Sequence, residues 1–374
     1  MELKKKATQK IKQMEKDIFA MSSEDPSISL FNGNTGLILF YYHLYRCFGE
    51  EAYLRKCGII AEKVMQLASR DLTTLSYCDG LGGIGMLFNY LQQQEFIDEG
   101  SDDFLLQCDS ILLVALKRML EKQDLDFMHG ATGLILYFLE RKKHLPAIFS
   151  ILYEVIDAAL DNAIFNCGIA HGWISIMMIL SRYADETQDL QAKIRLKKIT
   201  DILLTHKSSD AKTLAIYPSI VDGTQKNYNV PLGWCYGDTI IATALYRTGT
   251  TLGDQNFMEE ATALAIHAAN RNTEKNSGIL DACFCHGGAG VAHIFRKWYT
   301  LTGNTFFQDH YQDWINSTLV LSSFEDGVGG YKKYTGATYA AKYPLLDGAA
   351  GVALVLTDMI SDTPVDWDRF FLLS

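Results

Sequence analysis

Two apolar patterns alternate along this chain. In the first, apolar residues recur at helical spacing with charged residues between them. Examples are EAYLRKCGIIAEKVMQLASR at 51–70, DFLLQCDSILLVALKRMLEK at 103–122, IRLKKITDILLTH at 194–206 and FMEEATALAIHAAN at 257–270. Such segments predict amphipathic helices with one face in water. In the second pattern a run that is apolar nearly all round follows a Gly-x-x-Gly element, as LILFYYHLY follows Asn32-Gly33-Asn34-Thr35-Gly36. These runs predict buried helices, with the small residues letting neighbouring loops approach closely.

The second pattern returns at Gly80-Leu81-Gly82-Gly83, Gly130-Ala131-Thr132-Gly133, Gly172, Gly237, Gly287-Gly288-Ala289-Gly290 and Gly348-Ala349-Ala350-Gly351. The fourth and fifth copies are degenerate, with Ser175 and Ile240 where the second glycine falls. Seven copies about 40–65 residues apart mark a repeat fold. The predicted architecture is all-α, an α/α toroid of about seven helical hairpins with inner and outer helix rings. Its inner helices would open at one end, where the positive ends of their dipoles favour thiolates and an enolate. Two longer joins interrupt the pattern. Residues 207–232 carry Pro218, Pro231 and the alternating Leu214-Ala215-Ile216-Tyr217, and predict a loop with short strands. Residues 323–346 hold Gly327, Gly329, Gly330 and Gly336 and predict a second loop, over the mouth. Neither is long enough for a domain, so residues 1–374 are expected to form one.

Composition narrows the function. Of 374 residues 48% are hydrophobic and 21% charged, which excludes a disordered chain. The net charge of -10, with no large basic cluster beyond Lys4-Lys5-Lys6, argues against nucleic-acid binding. No apolar run approaches the roughly 18 residues of a membrane span, and the charged N-terminus is not a secretory signal, so a cytoplasmic protein is expected. Of eight cysteines, Cys47, Cys57, Cys78, Cys108 and Cys167 lie in helix-like contexts and read as buried free thiols.

The other cysteines stand beside the glycines, in Gly233-Trp234-Cys235-Tyr236-Gly237 and Cys283-Phe284-Cys285-His286-Gly287. Cysteine and histidine suit zinc, and three protein ligands with an open fourth position mark a catalytic site. Cys235, Cys285 and His286 are the candidate ligands. Residue types alone leave the alternatives open: this catalytic set, a structural site completed by Cys283, or no metal. Asp126, four residues before Gly130, and His171, directly before Gly172, are further candidates at the mouth. Tyr236 and His129 fit either a functional or a packing role, and Trp234 a wall.

Gly-Trp-Cys-Tyr-Gly at 233–237, Cys-His-Gly at 285–287 and Ala-His-Gly at 170–172 together resemble the signature of the lanthionine synthetase C-like family. All seven glycine copies fit that family's α/α barrel, and Trp-Cys-Tyr-Gly is more similar to the bacterial lanthipeptide cyclases than to their eukaryotic relatives. The resemblance implies a zinc enzyme that adds a peptide cysteine to a dehydroalanine or dehydrobutyrine, closing a thioether ring. By motif position it implies Cys235, Cys285 and His286 as zinc ligands, His171 and Asp126 in proton transfer or positioning, and Tyr236 as a further active-site residue. It implies a dehydrated precursor peptide as substrate. A lanthipeptide dehydratase and an exporter are candidate partners, with peripheral attachment to a membrane-bound complex. One departure stands out: bacterial members often carry Arg four residues before the first zinc cysteine, and here that residue is Pro231.

Rival readings remain. A glycoside hydrolase on such a toroid needs two facing carboxylates, and Asp79, Asp126, Asp238 and Asp347 all lie near glycine turns. The Cys-Cys-His set argues against it, and against a protein prenyltransferase the absence of any such motif. A non-enzymatic protein that uses zinc to hold a thiol such as glutathione is the alternative within the family.

Overall fold

Seven of the helices are buried on almost every side, and each begins at one of the repeated glycines. The computed structural model describes residues 2–71, 74–97, 101–161, 164–210, 212–361 and 366–374. In chain order the elements are α1 (Glu2–Glu24), α2 (Asn34–Phe48), α3 (Glu51–Asp71), α4 (Leu81–Gln93), α5 (Asp102–Glu121), α6 (Ala131–Arg141) and α7 (Leu145–Ala159). Strand β1 (Ile164–Asn166), α8 (Trp173–Thr187), α9 (Leu190–Leu204), β2 (Ile220–Asp222), β3 (Gln225–Lys226), α10 (Asp238–Leu252), α11 (Gln255–Ala269) and α12 (Glu274–Ser277) follow. Then come α13 (Gly288–Thr302), α14 (Thr305–Val320), β4 (Lys333–Tyr334), β5 (Tyr339–Ala340), α15 (Ala349–Ile360) and a closing 3₁₀ turn at Trp367–Phe371.

The inner helices are α2, α4, α6, α8, α10, α13 and α15. In α6 every residue from Ala131 to Glu140 is buried. The outer helices bury one stripe only, such as Ala192, Leu196, Ile199 and Leu203 in α9. Each inner helix packs against the outer helix that follows it, except that α15 takes α1, the first helix of the chain. Two hairpin turns share one device. Gly253 and Gly303 end their helices at φ +68, and Asp254 and Asn304 then cap α11 and α14 through their side chains.

The chain divides into two compact bodies. Body one joins the N-terminal part up to residue 74, Cys78–Gly80 and everything from Ile279 on, and body two holds Leu75–Tyr77 and Leu81–Gly278. In body one α15 packs between α13 and α2. In body two α4, α6, α8 and α10 lie side by side in order.

The repeated glycines serve close approach. A Cβ at Gly36, Gly133, Gly290 or Gly351 would stand 1.9–2.2 Å from the carbonyl oxygen six residues earlier. The loop before each inner helix therefore folds back over that helix's first turn.

The short strands are local. Antiparallel β1–β2–β3 forms in body two, with Phe165 opposite Val221, and the β4–β5 hairpin pairs Lys333 with Ala340 in body one. The expected strands in 207–232 exist, but not at Leu214–Tyr217. There the carboxylate of Asp238, fully buried, accepts the amides of Ile216 and Tyr217, and this capture replaces a sheet ladder. Strand β1 had no signal, since three residues show no alternation.

Candidate active site

In body two the loops that open α6, α8 and α10 come together. Asp126 Oδ2 lies 2.6 Å from His171 Nδ1, and Asp126 Oδ1 accepts the His129 amide at 2.8 Å. The hydrogen bond to Asp126 raises the His171 imidazole above its ordinary range, with burial opposing. Burial works to raise the Asp126 carboxyl, but the bonds from His171 and the His129 amide outweigh it and hold Asp126 low. Each group thus favours the charged form of the other. The His129 ring lies nearly parallel to that of His171, centroids 6.4 Å apart.

The neighbouring loop carries Cys235 and Tyr236. The Cys235 carbonyl accepts the Ile169 amide at 3.0 Å, and its side chain is half-buried. Asn166 Nδ2 donates to the Tyr236 hydroxyl at 3.0 Å while Asn166 Oδ1 accepts the Gly168 amide. The Tyr236 ring fills the place of a side chain at Gly168, where a Cβ would meet it at 2.5 Å. Because the hydroxyl oxygen accepts from Asn166, its proton can be donated elsewhere. Trp234 is fully buried, edge-on to Phe127, which is the wall role expected of it.

In body one Cys285 and His286 precede α13. The Cys285 amide donates to Leu346, the Leu346 amide to Phe31 and the Leu30 amide to Cys78, so four glycine loops are stitched edge to edge. Phe284 anchors the loop from below, fully buried against Phe371 at 4.4 Å. Asp281 Oδ1 accepts the Cys283 amide, Oδ2 accepts the Tyr334 amide, and Oδ2 stands 3.7 Å from His286 Nε2. A carboxylate beside one ring nitrogen orients a ligating histidine to present the other. Lys333 pairs with Asp347 at 2.5 Å. Burial lowers its pKa, but the bond from Asp347, with Cys283 and Cys285 nearby, raises the ammonium overall.

Asp281, Cys283 and His286 offer atoms within 4.8 Å of one another. However, both Asp281 oxygens already accept backbone amides, and burial pushes the Cys283 thiol well up. Cys283 is also 4% exposed, against the half-buried Cys285. Cys285 and His286, both half-buried at a helix N-terminus, are the donors that fit zinc. Of the other cysteines, Cys57, Cys78, Cys108 and Cys167 are buried and their thiols raised by burial, as expected, whereas Cys47 is half-buried. The hydrolase carboxylates are individually occupied. Asp238 is sealed on Ile216, Tyr217 and Arg271, Asp79 accepts the Ser29 hydroxyl, and Asp347 holds Lys333.

Asn166 and Asp281 carried no weight in the sequence reading, yet a signal existed. Both stand six residues before the copy's first glycine, as do Ser27 and Asp124. In all four the side chain accepts the amide two residues on. Aligning the copies on their glycines exposes this position.

The family described as "Lanthionine synthetase C-like protein" matches residues 24–372. The chain belongs to this family. A structure titled "Nisin cyclase" superposes with a TM-score of 0.77 at 19% identity, covering 100% of this chain and 98% of that one. The lanthionine synthetase C-like fold here is thus all-α, an α/α toroid with inner and outer helices, as the repeat pattern predicted. A relative named "Glutathione S-transferase LANCL1" from Danio rerio is 21% identical over 367 residues, 88% of this chain and 82% of that protein. Among the described residues no helix is long and apolar enough to cross a membrane.

Proposed function

We propose that this chain is a zinc-dependent lanthipeptide cyclase that adds a peptide cysteine to the β-carbon of a dehydroalanine or dehydrobutyrine. The observation that carries the reading is the His171–Asp126 pair at 2.6 Å, with Tyr236 and Cys235 on the adjoining loop. The fold shared with nisin cyclase supports it. Cys235, Cys285 and His286 would hold the ion, three ligands leaving a fourth position for substrate. When bound, zinc lowers the pKa of the peptide thiol and holds its sulfur for attack.

The chain's own residues handle the charge that follows. As sulfur adds to the β-carbon, an electron pair moves onto the carbonyl oxygen. The Tyr236 O–H donates to that oxygen, steadied by Asn166. His171, kept charged by Asp126, gives the Nε2 proton to the α-carbon and recovers one from solvent. Asp126 orients rather than accepts a proton, because its carboxyl is held low. Lys333 supplies a positive charge in the loop cluster of Cys285. A dehydrated precursor peptide is the substrate, and a dehydratase and an exporter are partners at the membrane in the cytoplasm.

Incubating the zinc-loaded protein with a dehydrated, cysteine-containing peptide tests this. Loss of free thiol at unchanged mass is expected. The second reading, a zinc-dependent holder of glutathione-like thiols, is favoured by the LANCL1 relative's name and its 88% coverage. Such a protein would bind glutathione and leave the peptide open.

A further inference from the structure

Beside the His171–Asp126 pair a cavity of about 290 Å³ opens on body two. Asp126 and His171 line it, and Leu125, Ile164, Trp173 and Ile176 are its large apolar lining residues. The floor is fixed: Trp173 stacks on Phe165 at 5.6 Å and 13°, and Phe165 is held in register by the β1–β2 ladder. Ile164 is 57% exposed. An exposed isoleucine and an indole lining the same cavity as the Asp126–His171 pair make the mix of apolar wall and few polar groups that marks a ligand site.

We infer that this cavity is a specificity subsite that takes an apolar side chain of the peptide residue adjacent to the dehydro residue. The inference rests on the cyclase reading for the identity of its substrate. It follows from reach. The α-carbon that His171 protonates lies within contact of the imidazole, and the next α-carbon is about 3.8 Å away. A neighbouring leucine, isoleucine or phenylalanine then falls between Ile164 and Trp173. A glycine leaves the cavity empty, and an acidic side chain would meet Asp126.

The test uses two short peptides, each with one cysteine and one dehydroalanine, bearing leucine or glycine next to the dehydroalanine. Zinc-loaded wild type, Ile164→Asp and Ile164→Trp are compared. Both variants should raise KM for the leucine peptide by about tenfold or more. They should leave kcat, and both constants for the glycine peptide, within about twofold. Equal changes for the two peptides, or none, would overturn the subsite. Calorimetry with the unreactive serine forms of both peptides gives an independent arm, with tighter leucine binding that Ile164→Asp abolishes. That preference in a protein that closes no ring would uphold the subsite and sink the cyclase reading.

Discussion

The loops 231–238 and 281–288 occupy equivalent places in the repeat, and both offer a cysteine two residues before a glycine. They are held in opposite ways. In 281–288 the residue six before the glycine is Asp281, whose carboxylate ties its own loop to Tyr334 and faces His286. In 231–238 that place is Pro231, which has no side-chain acceptor. Support comes from the backbone instead: Gly237 adopts φ +105, a region closed to side chains, and a Cβ there would meet the Pro231 oxygen at 2.5 Å. From below, Asp238 grips Ile216, Tyr217 and Arg271. Cys78, at the same repeat position again, is 1% exposed with its thiol on Asp79, raised by burial and that carboxylate. Repeat position thus decides where a thiol sits, and the side chains around it decide whether it can ligate.

The largest effect separates the cysteines of the second loop. Cys285→Ala should lose zinc and ring closure together, while Cys283→Ala keeps the metal and loses only stability. Metal content of the purified variants decides this. Full zinc in Cys285→Ala with loss in Cys283→Ala reverses the assignment.

Next comes the pair that neither cysteine loop contains. His171→Asn and Asp126→Asn should keep fold and zinc and slow cyclisation by about 10²–10⁴-fold. The double variant should be little worse than His171→Asn, since residues acting as a unit are not additive. The sign of the pH effect follows from the shifts. His171 is raised, so its proton, and the stability it lends, is present at low pH and lost as pH climbs through the raised value. Asp126 is lowered, so its contribution is lost as pH falls through the depressed value. Rate should therefore fall on the alkaline side, and Asp126→Asn should move that limb to lower pH. An unmoved limb would remove His171 as the acid.

How much of this was legible follows from what each residue does. The toroid was readable because seven glycines serve one steric need, and Cys285 and His286 stood out as candidates because Cys-His-Gly is a local string. The bond between His171 and Asp126 spans 45 residues, so only their shared closeness to glycines hinted at it. Asp238 was weighed only as one of four carboxylates near glycine turns. Its role depends on amides 21 and 22 residues upstream, which no periodicity marks. Lys333 lay in a loop read only as a cover, and its value comes from Asp347, fourteen residues on.

Smaller effects come from the glycines. Gly237→Ala forces a side chain into φ +105 and should cost more than Gly348→Ala, where the backbone is extended but Pro344 crowds the Cβ at 2.5 Å. Gly33→Val and Gly348→Val should also lower Tm, by a cost of about 1–3 kcal/mol. Thermal melts of all four check the order. Native melting with lost activity in Gly33→Val or Gly348→Val would show those loops to be functional.

The smallest expected effect falls on Lys333, the ammonium that Asp347 holds in the loop cluster of Cys285. Its ion pair with Asp347 leaves the two side chains 21% and 23% exposed, so removing it should cost about 1 kcal/mol or less of stability. If the ammonium serves the reaction, Lys333→Met should slow cyclisation about tenfold, less than the 10²–10³-fold for a preorganised donor on the reacting oxygen. Lys333→Arg should restore most of the rate, because it keeps the charge. The double substitution Lys333→Met with Asp347→Asn removes the unpaired carboxylate that the single change leaves behind. Full recovery of rate in that double variant would assign Lys333 to holding the hairpin in place, and a rate still about tenfold down would assign it to the chemistry.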